Sequence, residues 1–69
     1  MIDQFEALDA IDRHGTTAAA GTALRISQSA VSKRIASLEA RLRITVIERR
    51  GRGIEITSAG RRLLVRVRP

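Results

Sequence analysis

Residues 27–42 read SQSAVSKRIASLEARL, and this stretch decides the fold. Apolar side chains recur at Val31, Ile35, Leu38 and Leu42, spaced by four, three and four. That is the period of an amphipathic helix with one inward stripe. Ser27 is an N-cap residue type, so the helix is expected over 28–42. At about 100° per residue, Ser29, Lys33, Ala36 and Ala40 fall opposite the stripe, and Gln28 and Ser32 flank that outer face near the helix start. The helix therefore carries an anchoring side and, in its first two turns, an open side of short polar groups.

Upstream, Phe5, Leu8 and Ile11 recur at three-residue steps, with Ala7 and Ala10 beside them. They predict a first helix capped by Asp3 and stopped at His14-Gly15, with Gly15 just past the end. Thr16 and Thr17 can cap a second, short helix built on Ala18, Ala19, Ala20, Ala23 and Leu24. Small residues there permit close approach of another helix. Arg25-Ile26 is a tight connection into Ser27. Two helices joined in this way, the second exposing polar groups near its start, form a helix-turn-helix.

Downstream of Arg43 the pattern changes. Ile44-Thr45-Val46-Ile47 is β-branched, and Ile54 and Ile56 alternate around Glu55. These two runs are expected to pair as a hairpin whose glycine-bearing tip, Glu48 to Gly53, holds Arg49, Arg50 and Arg52. Thr57 then caps a last helix on which Ala59, Leu63, Leu64 and Val67 share a face, and Pro69 ends the chain. The expected order is helix, helix, helix, strand, strand, helix: one mainly α domain over 1–69 with a small β-hairpin wing. No internal repeat, low-complexity tract or linker interrupts it.

Composition narrows the function. The chain has 69 residues, too few to favour a second domain, and its 43% hydrophobic content is enough for a core. It lacks cysteine, so neither a disulfide framework nor a thiolate metal site is available. No apolar run approaches the roughly 18 residues of a membrane span, and no signal-peptide pattern opens the chain. A soluble, intracellular module is the expectation. The single histidine, His14, sits at a predicted helix C-terminus, where a cation is favourable, and has no partner spaced for catalysis or metal binding. An enzyme is the least supported class, and no cofactor or metal is expected.

The charge is segregated. Residues 1–12 carry Asp3, Glu6, Asp9 and Asp12 and no base, whereas the remainder carries all thirteen basic residues against three acids. Twelve of the thirteen are arginine, whose planar fork suits phosphate and guanine edges. The net charge of +6 points to a polyanion, with the acidic segment turned away from it. Phe5 is the one aromatic residue, which disfavours stacking of single-stranded bases and leaves duplex binding. In that reading Gln28 offers an amide to adenine, Ser29 and Ser32 donate or accept, and Lys33 reaches guanine or phosphate. The arginine hairpin lies along the backbone or enters a narrow minor groove.

Across nearly its whole length the chain resembles the N-terminal DNA-binding domain of LysR-type transcriptional regulators. The matching residues are Phe5, Leu8 and Ala10; Gly15-Thr16; Ala20, Leu24 and Ile26-Ser27-Gln28; Ala30-Val31-Ser32-Lys33, Ile35 and Leu38-Glu39. They continue through Glu48-Arg49, Gly51-Arg52-Gly53, Thr57, Ala59-Gly60, Leu63 and Leu64. The resemblance implies a winged helix-turn-helix that binds double-stranded DNA as a homodimer on an interrupted, AT-rich palindrome, in the bacterial cytoplasm at the nucleoid. It implies base readout by Gln28, Ser29, Ser32 and Lys33, and backbone or minor-groove contact by Arg49, Arg50 and Arg52, with Thr17 and Arg34 as further phosphate contacts. Dimerisation would use the C-terminal helix through Ala59, Leu63, Leu64 and Val67; the alternative for that face is packing onto the chain's own first helix, and the two can coexist.

The chain departs from the family pattern in places. Ser29 stands where a proline is usual, Thr17 where an aromatic is usual, and Gly21 where alanine is usual, at a helix-propensity cost of about 1 kcal/mol. Val46-Ile47 replaces Leu-Phe, and Ala36 and Ser37 replace basic residues. Together these predict a softer core. Family members continue into a long linker helix, begun here by 57–69, and a domain that binds a small-molecule effector. The chain is accordingly read as an excised domain, a fragment or an unusually short protein. The runner-up function is a nonspecific nucleoid-type or RNA-binding protein, which shares the charge but has no need of Gln28 and Ser32. A third reading, a surface-active amphipathic peptide, rests on the Arg-rich last helix.

Overall fold

Every helix begins where a side-chain oxygen can accept from an otherwise orphaned amide. The computed structural model describes residues 3–68 and places four such starts. Asp3 caps α1 (Gln4–His14) with a full capping box: Glu6 N donates to Asp3 Oδ1 at 2.7 Å, and Asp3 N donates back to Glu6 Oε1 at 3.4 Å. Thr16, rather than Thr17, caps α2 (Thr17–Leu24) by accepting from Ala19 N at 3.0 Å. Ser27 caps α3 (Gln28–Leu42) by accepting from Ala30 N at 3.0 Å. Thr57 caps α4 (Ser58–Val67) by accepting from Gly60 N at 3.0 Å. The last of these helices was expected within 57–69, and Pro69 lies outside the described residues.

The first three helices end in left-handed caps. Gly15 ends α1 at φ 87°, a conformation glycine adopts freely. Arg25 and Arg43 end α2 and α3 at φ 60° and 56°, where a side chain is strained. The turn between α2 and α3 is closed by Ile26 N donating to Gly21 O at 2.9 Å. A methyl on Gly21 would stand 2.8 Å from Ile26 O, so the missing side chain is what admits the turn so closely. The softening expected at this position thus comes with a tighter helix-turn-helix junction.

The core forms where α1, α2 and α3 meet. Ala7, Leu8, Ala10 and Ile11 of α1, Ala20 of α2, and Val31, Ile35 and Leu38 of α3 are buried together, joined by Val46 and Leu64. Leu42 departs from its expected inward position and is 39% exposed, because α3 outruns the core at its last residue. Phe5 is half-buried and lies under the Arg41 guanidinium, 5.7 Å from the ring centre.

The hairpin is shorter and differently placed than its β-branched runs suggest. β1 spans Ile47–Arg50 and β2 spans Gly53–Ile56, antiparallel, pairing Ile47 with Ile56, Glu48 with Glu55, Arg49 with Ile54 and Arg50 with Gly53. Ile44, Thr45 and Val46 are a connector. Val46 N donates to Glu39 Oε2 of α3 at 2.8 Å, and Val46 O accepts from Thr57 N at 3.0 Å, so its backbone groups are satisfied outside any ladder. Only Gly51-Arg52 form the turn, with Gly51 at φ 56°, the first central position of a II′-type hairpin. Arg49 and Arg50 therefore stand in β1, and Arg52 alone of the three is at the tip. The order α-α-α-β-β-α is a winged helix-turn-helix.

Candidate nucleic-acid interface

Helix α3 is anchored on one side and open on the other. Val31, Ile35 and Leu38 are fully buried, while Gln28, Ser29, Ser32, Lys33, Ala36 and Ala40 are exposed. Gln28, Ser29, Ser32 and Lys33 line one shallow, open surface together with the cap Ser27, whose Oγ is 3.2 Å from Ser29 Oγ. The first turn of α3 adds backbone amides and the positive end of the helix dipole to this surface. Arg34, on the same helix, is half-buried.

Thr17 is placed differently from its expectation. It is 6% exposed, and its Oγ1 accepts from Gln28 Nε2 at 3.0 Å. It lies beneath Gln28 rather than on the outer surface where a phosphate contact was expected.

The wing supplies a second basic element. Arg49, Arg50 and Arg52 are all exposed. By strand alternation Arg49 shares a face with Ile47, while Arg50 shares the other face with Glu48. Arg50 Nε lies 3.2 Å from Glu55 Oε2 on the solvent side, an exposed pair of little energetic weight. That arginine sits beside the Glu48–Glu55 cross-strand pair, where two like charges oppose each other.

Asp9 and Asp12 of α1 pair with other arginines. Asp12 receives Arg61 Nη2 at 3.0 Å and Arg68 Nη2 at 2.8 Å; Asp9 receives Arg13 Nε at 2.8 Å and Arg68 Nη2 at 2.7 Å. Hydrogen bonding from Arg68 holds the Asp12 carboxyl below the usual carboxylate range, with Arg61 assisting against the opposing effect of burial. Burial acts to raise the Asp9 carboxyl, and the hydrogen bonds and charges of Arg13 and Arg68 outweigh it, so its net shift is also downward. These pairs tie the end of α4 to α1. Among the described residues no carboxylate pairs with Lys33 of α3 or with Arg49 and Arg52 of the wing, nor with Arg25, Arg43, Arg62 and Arg66 elsewhere, so α3 and the wing carry positive charge that no acid of the chain offsets.

Of the α4 face, Leu64 is buried in the chain's own core, Ala59 and Leu63 are half-buried, and Val67 is 42% exposed. Val65, which the face did not include, is 77% exposed. Ala59 and Leu63 line a shallow groove with Ile44, Arg62 and Arg66.

The supporting roles of two residues escaped the reading of the sequence, which had Glu39 and Gly60 only among the residues of the family resemblance. Glu39 carries the connector on its carboxylate, and Gly60 lets Val46 O and Ile56 Cγ2 approach to 2.6 Å and 2.8 Å of where a Cβ would sit. Both hold the wing against the helices. A glycine inside an otherwise helical segment is the signal that marks such a contact.

The model of the bacterial regulatory helix-turn-helix proteins of the lysR family matches residues 2–61. A helix-turn-helix transcriptional regulator of Azotobacter vinelandii is 45% identical over 62 residues, covering 90% of this chain and 43% of that protein. A regulator of Vibrio cholerae is 38% identical over 69 residues, covering 100% of this chain and 24% of the relative. Among solved structures, the CbnR DBD–DNA complex superposes with a TM-score of 0.86 at 36% identity, covering 91% of this chain and 72% of that one. An OxyR of Corynebacterium glutamicum superposes with a TM-score of 0.85 at 34% identity, covering 90% and 19%. The chain spans less than half the length of these curated relatives. On its helix-turn-helix, its wing and these matches, the chain belongs to the lysR family of bacterial regulatory helix-turn-helix proteins.

Proposed function

We propose that the domain binds double-stranded DNA sequence-specifically and so regulates transcription. The observation that carries the proposal is the division of α3, whose Val31, Ile35 and Leu38 are buried while Gln28, Ser29, Ser32 and Lys33 stand exposed at its N-terminal end. A helix so mounted fits the major groove, where those four side chains meet base edges. Arg49, Arg50 and Arg52 of the wing engage the sugar–phosphate backbone or a narrow minor groove, and Arg34 a phosphate near α3. The solved CbnR–DNA complexes support this reading by relationship.

Two copies bind an interrupted, AT-rich palindrome, joined through α4. Val67, exposed on the same side of α4 as the half-buried Leu63 and Ala59, gives that helix an apolar surface for a partner. Selection of bound duplexes from a random pool, followed by salt titration, tests the proposal. Affinity for the selected duplex should fall steeply with salt and exceed that for a scrambled duplex at every salt concentration. Equal affinity for both would reduce the domain to a nonspecific nucleic-acid binder. A selected site lacking two-fold symmetry would refute the dimer.

A further inference from the structure

We infer that Thr17 is a specificity-determining positioning residue, holding the Gln28 amide in the orientation that reads DNA. The inference rests on the proposed function and assigns to Thr17 a role distinct from phosphate contact. Thr17 opens α2 and is 6% exposed, whereas Gln28 opens α3 and is exposed. Across the helix-turn-helix, Gln28 Nε2 donates to Thr17 Oγ1 at 3.0 Å. This is a contact between the first residues of the two helices, eleven positions apart in the chain.

A glutamine amide has two N–H donors and one carbonyl acceptor, and it turns freely when nothing holds it. Fixing one N–H on Thr17 leaves the other N–H and Oε1 to face outward. That pair, one donor and one acceptor, complements the N7 acceptor and N6 donor of adenine in the major groove. An amide already held in that plane loses less rotamer entropy on binding.

The geometry around the pair is constrained. Gly21, one turn along α2 from Thr17, has no side chain to separate α2 from the start of α3; a Cβ there would lie 3.3 Å from Gln28 N. The Ser27 cap fixes the first turn of α3 itself. Thr17 stands where the family resemblance makes an aromatic usual, and its hydroxyl is what accepts from Gln28 here.

The test uses Thr17→Val, which keeps the shape of the side chain and removes the oxygen, and Thr17→Ser, which restores it. Thermal melts confirm that each variant folds. In the free protein, the Nε2 protons of Gln28 should show a hydrogen-bonded resonance that vanishes in Thr17→Val and persists in Thr17→Ser. With a selected duplex, Thr17→Val should lose about threefold to tenfold in discrimination at the base pair that Gln28→Ala identifies, the worth of one net hydrogen bond. Affinity for scrambled DNA and the salt slope should not change, and Thr17→Ser should restore the wild-type profile. In a Gln28→Ala background, Thr17→Val should have no further effect. Retained discrimination in Thr17→Val, an equal loss on all duplexes, or additivity with Gln28→Ala would overturn the inference while leaving sequence-specific binding intact. A wild-type protein without sequence preference would instead remove the proposed function, and the role of Thr17 with it.

Discussion

Replacing Gly60 by alanine sets two physical effects against each other. Gly60 lies inside α4, where alanine is favoured over glycine by about 1 kcal/mol. Helix propensity alone therefore predicts a more stable protein. The surroundings predict the reverse. The new Cβ would lie 2.6 Å from Val46 O and 2.8 Å from Ile56 Cγ2, well inside the 3.4 Å at which ordinary contact begins. Ile56 Cγ2 can turn aside, but Val46 O belongs to the backbone and accepts from Thr57 N at 3.0 Å, while Val46 N donates to Glu39. Moving that carbonyl disturbs the Thr57 bond, worth about 0.5–1.5 kcal/mol, on top of an overpacking cost of about 1–3 kcal/mol. The net effect is a loss of about 0.5–3.5 kcal/mol. For a domain of this size each kilocalorie shifts the melting midpoint by about 4–8 °C, so the variant should melt lower by at least about 2 °C. Thermal unfolding followed by circular dichroism measures this, with the exposed Val65→Ala as a control in the same helix. A midpoint for Gly60→Ala equal to or above wild type would refute the close packing of α4 on the connector.

Three further outcomes follow from the same structure. Because Asp9 and Asp12 titrate below the ordinary 3.8 when folded, their stabilisation is complete above that pH and is lost as pH falls through it toward the folded values; the midpoint of wild type should fall more steeply below about pH 4 than that of Asp12→Asn. Arg43, held at φ 56°, should give way to glycine with a gain of up to about 1 kcal/mol in denaturant unfolding; a loss would show that its side chain outweighs the strain. On the selected duplex, Gln28→Ala should cost about 1–3 kcal/mol and relax preference at one base pair, whereas Arg52→Ala should weaken all duplexes alike and reduce the salt slope by about one, both read by titration at several salt concentrations.

What was legible in the sequence is what local chemistry fixes. Asp3, Ser27 and Thr57 cap the helices they were expected to cap, because a short side-chain oxygen reaches only the nearby amides of its own helix's first turn, here the one three residues on. The buried stripe of α3 was legible from its period through Leu38. It failed at Leu42, where the helix leaves the core, a boundary set by the lengths of neighbouring elements. The strand expected at 44–47 failed for a different reason. β-branched residues favour an extended backbone, and Ile44 to Val46 do lie outside the helices, but Glu39 and Thr57 take the hydrogen bonds that a partner strand would have taken at Val46. Of the candidate site, the outer face of α3 was readable from angle alone. The burial of Thr17 beneath Gln28 was not, since it depends on how α2 meets α3 across the turn.

In the proposed mode of binding, the N-terminal end of α3 meets base edges in the major groove. Replacing single purines in the selected duplex by their 7-deaza analogues removes the N7 acceptor from that groove and leaves the minor groove unchanged. Such replacements within each half-site should weaken binding by about tenfold or more, at positions that shift when Gln28 or Lys33 is substituted. Binding that is indifferent to every such replacement would contradict this mode of binding.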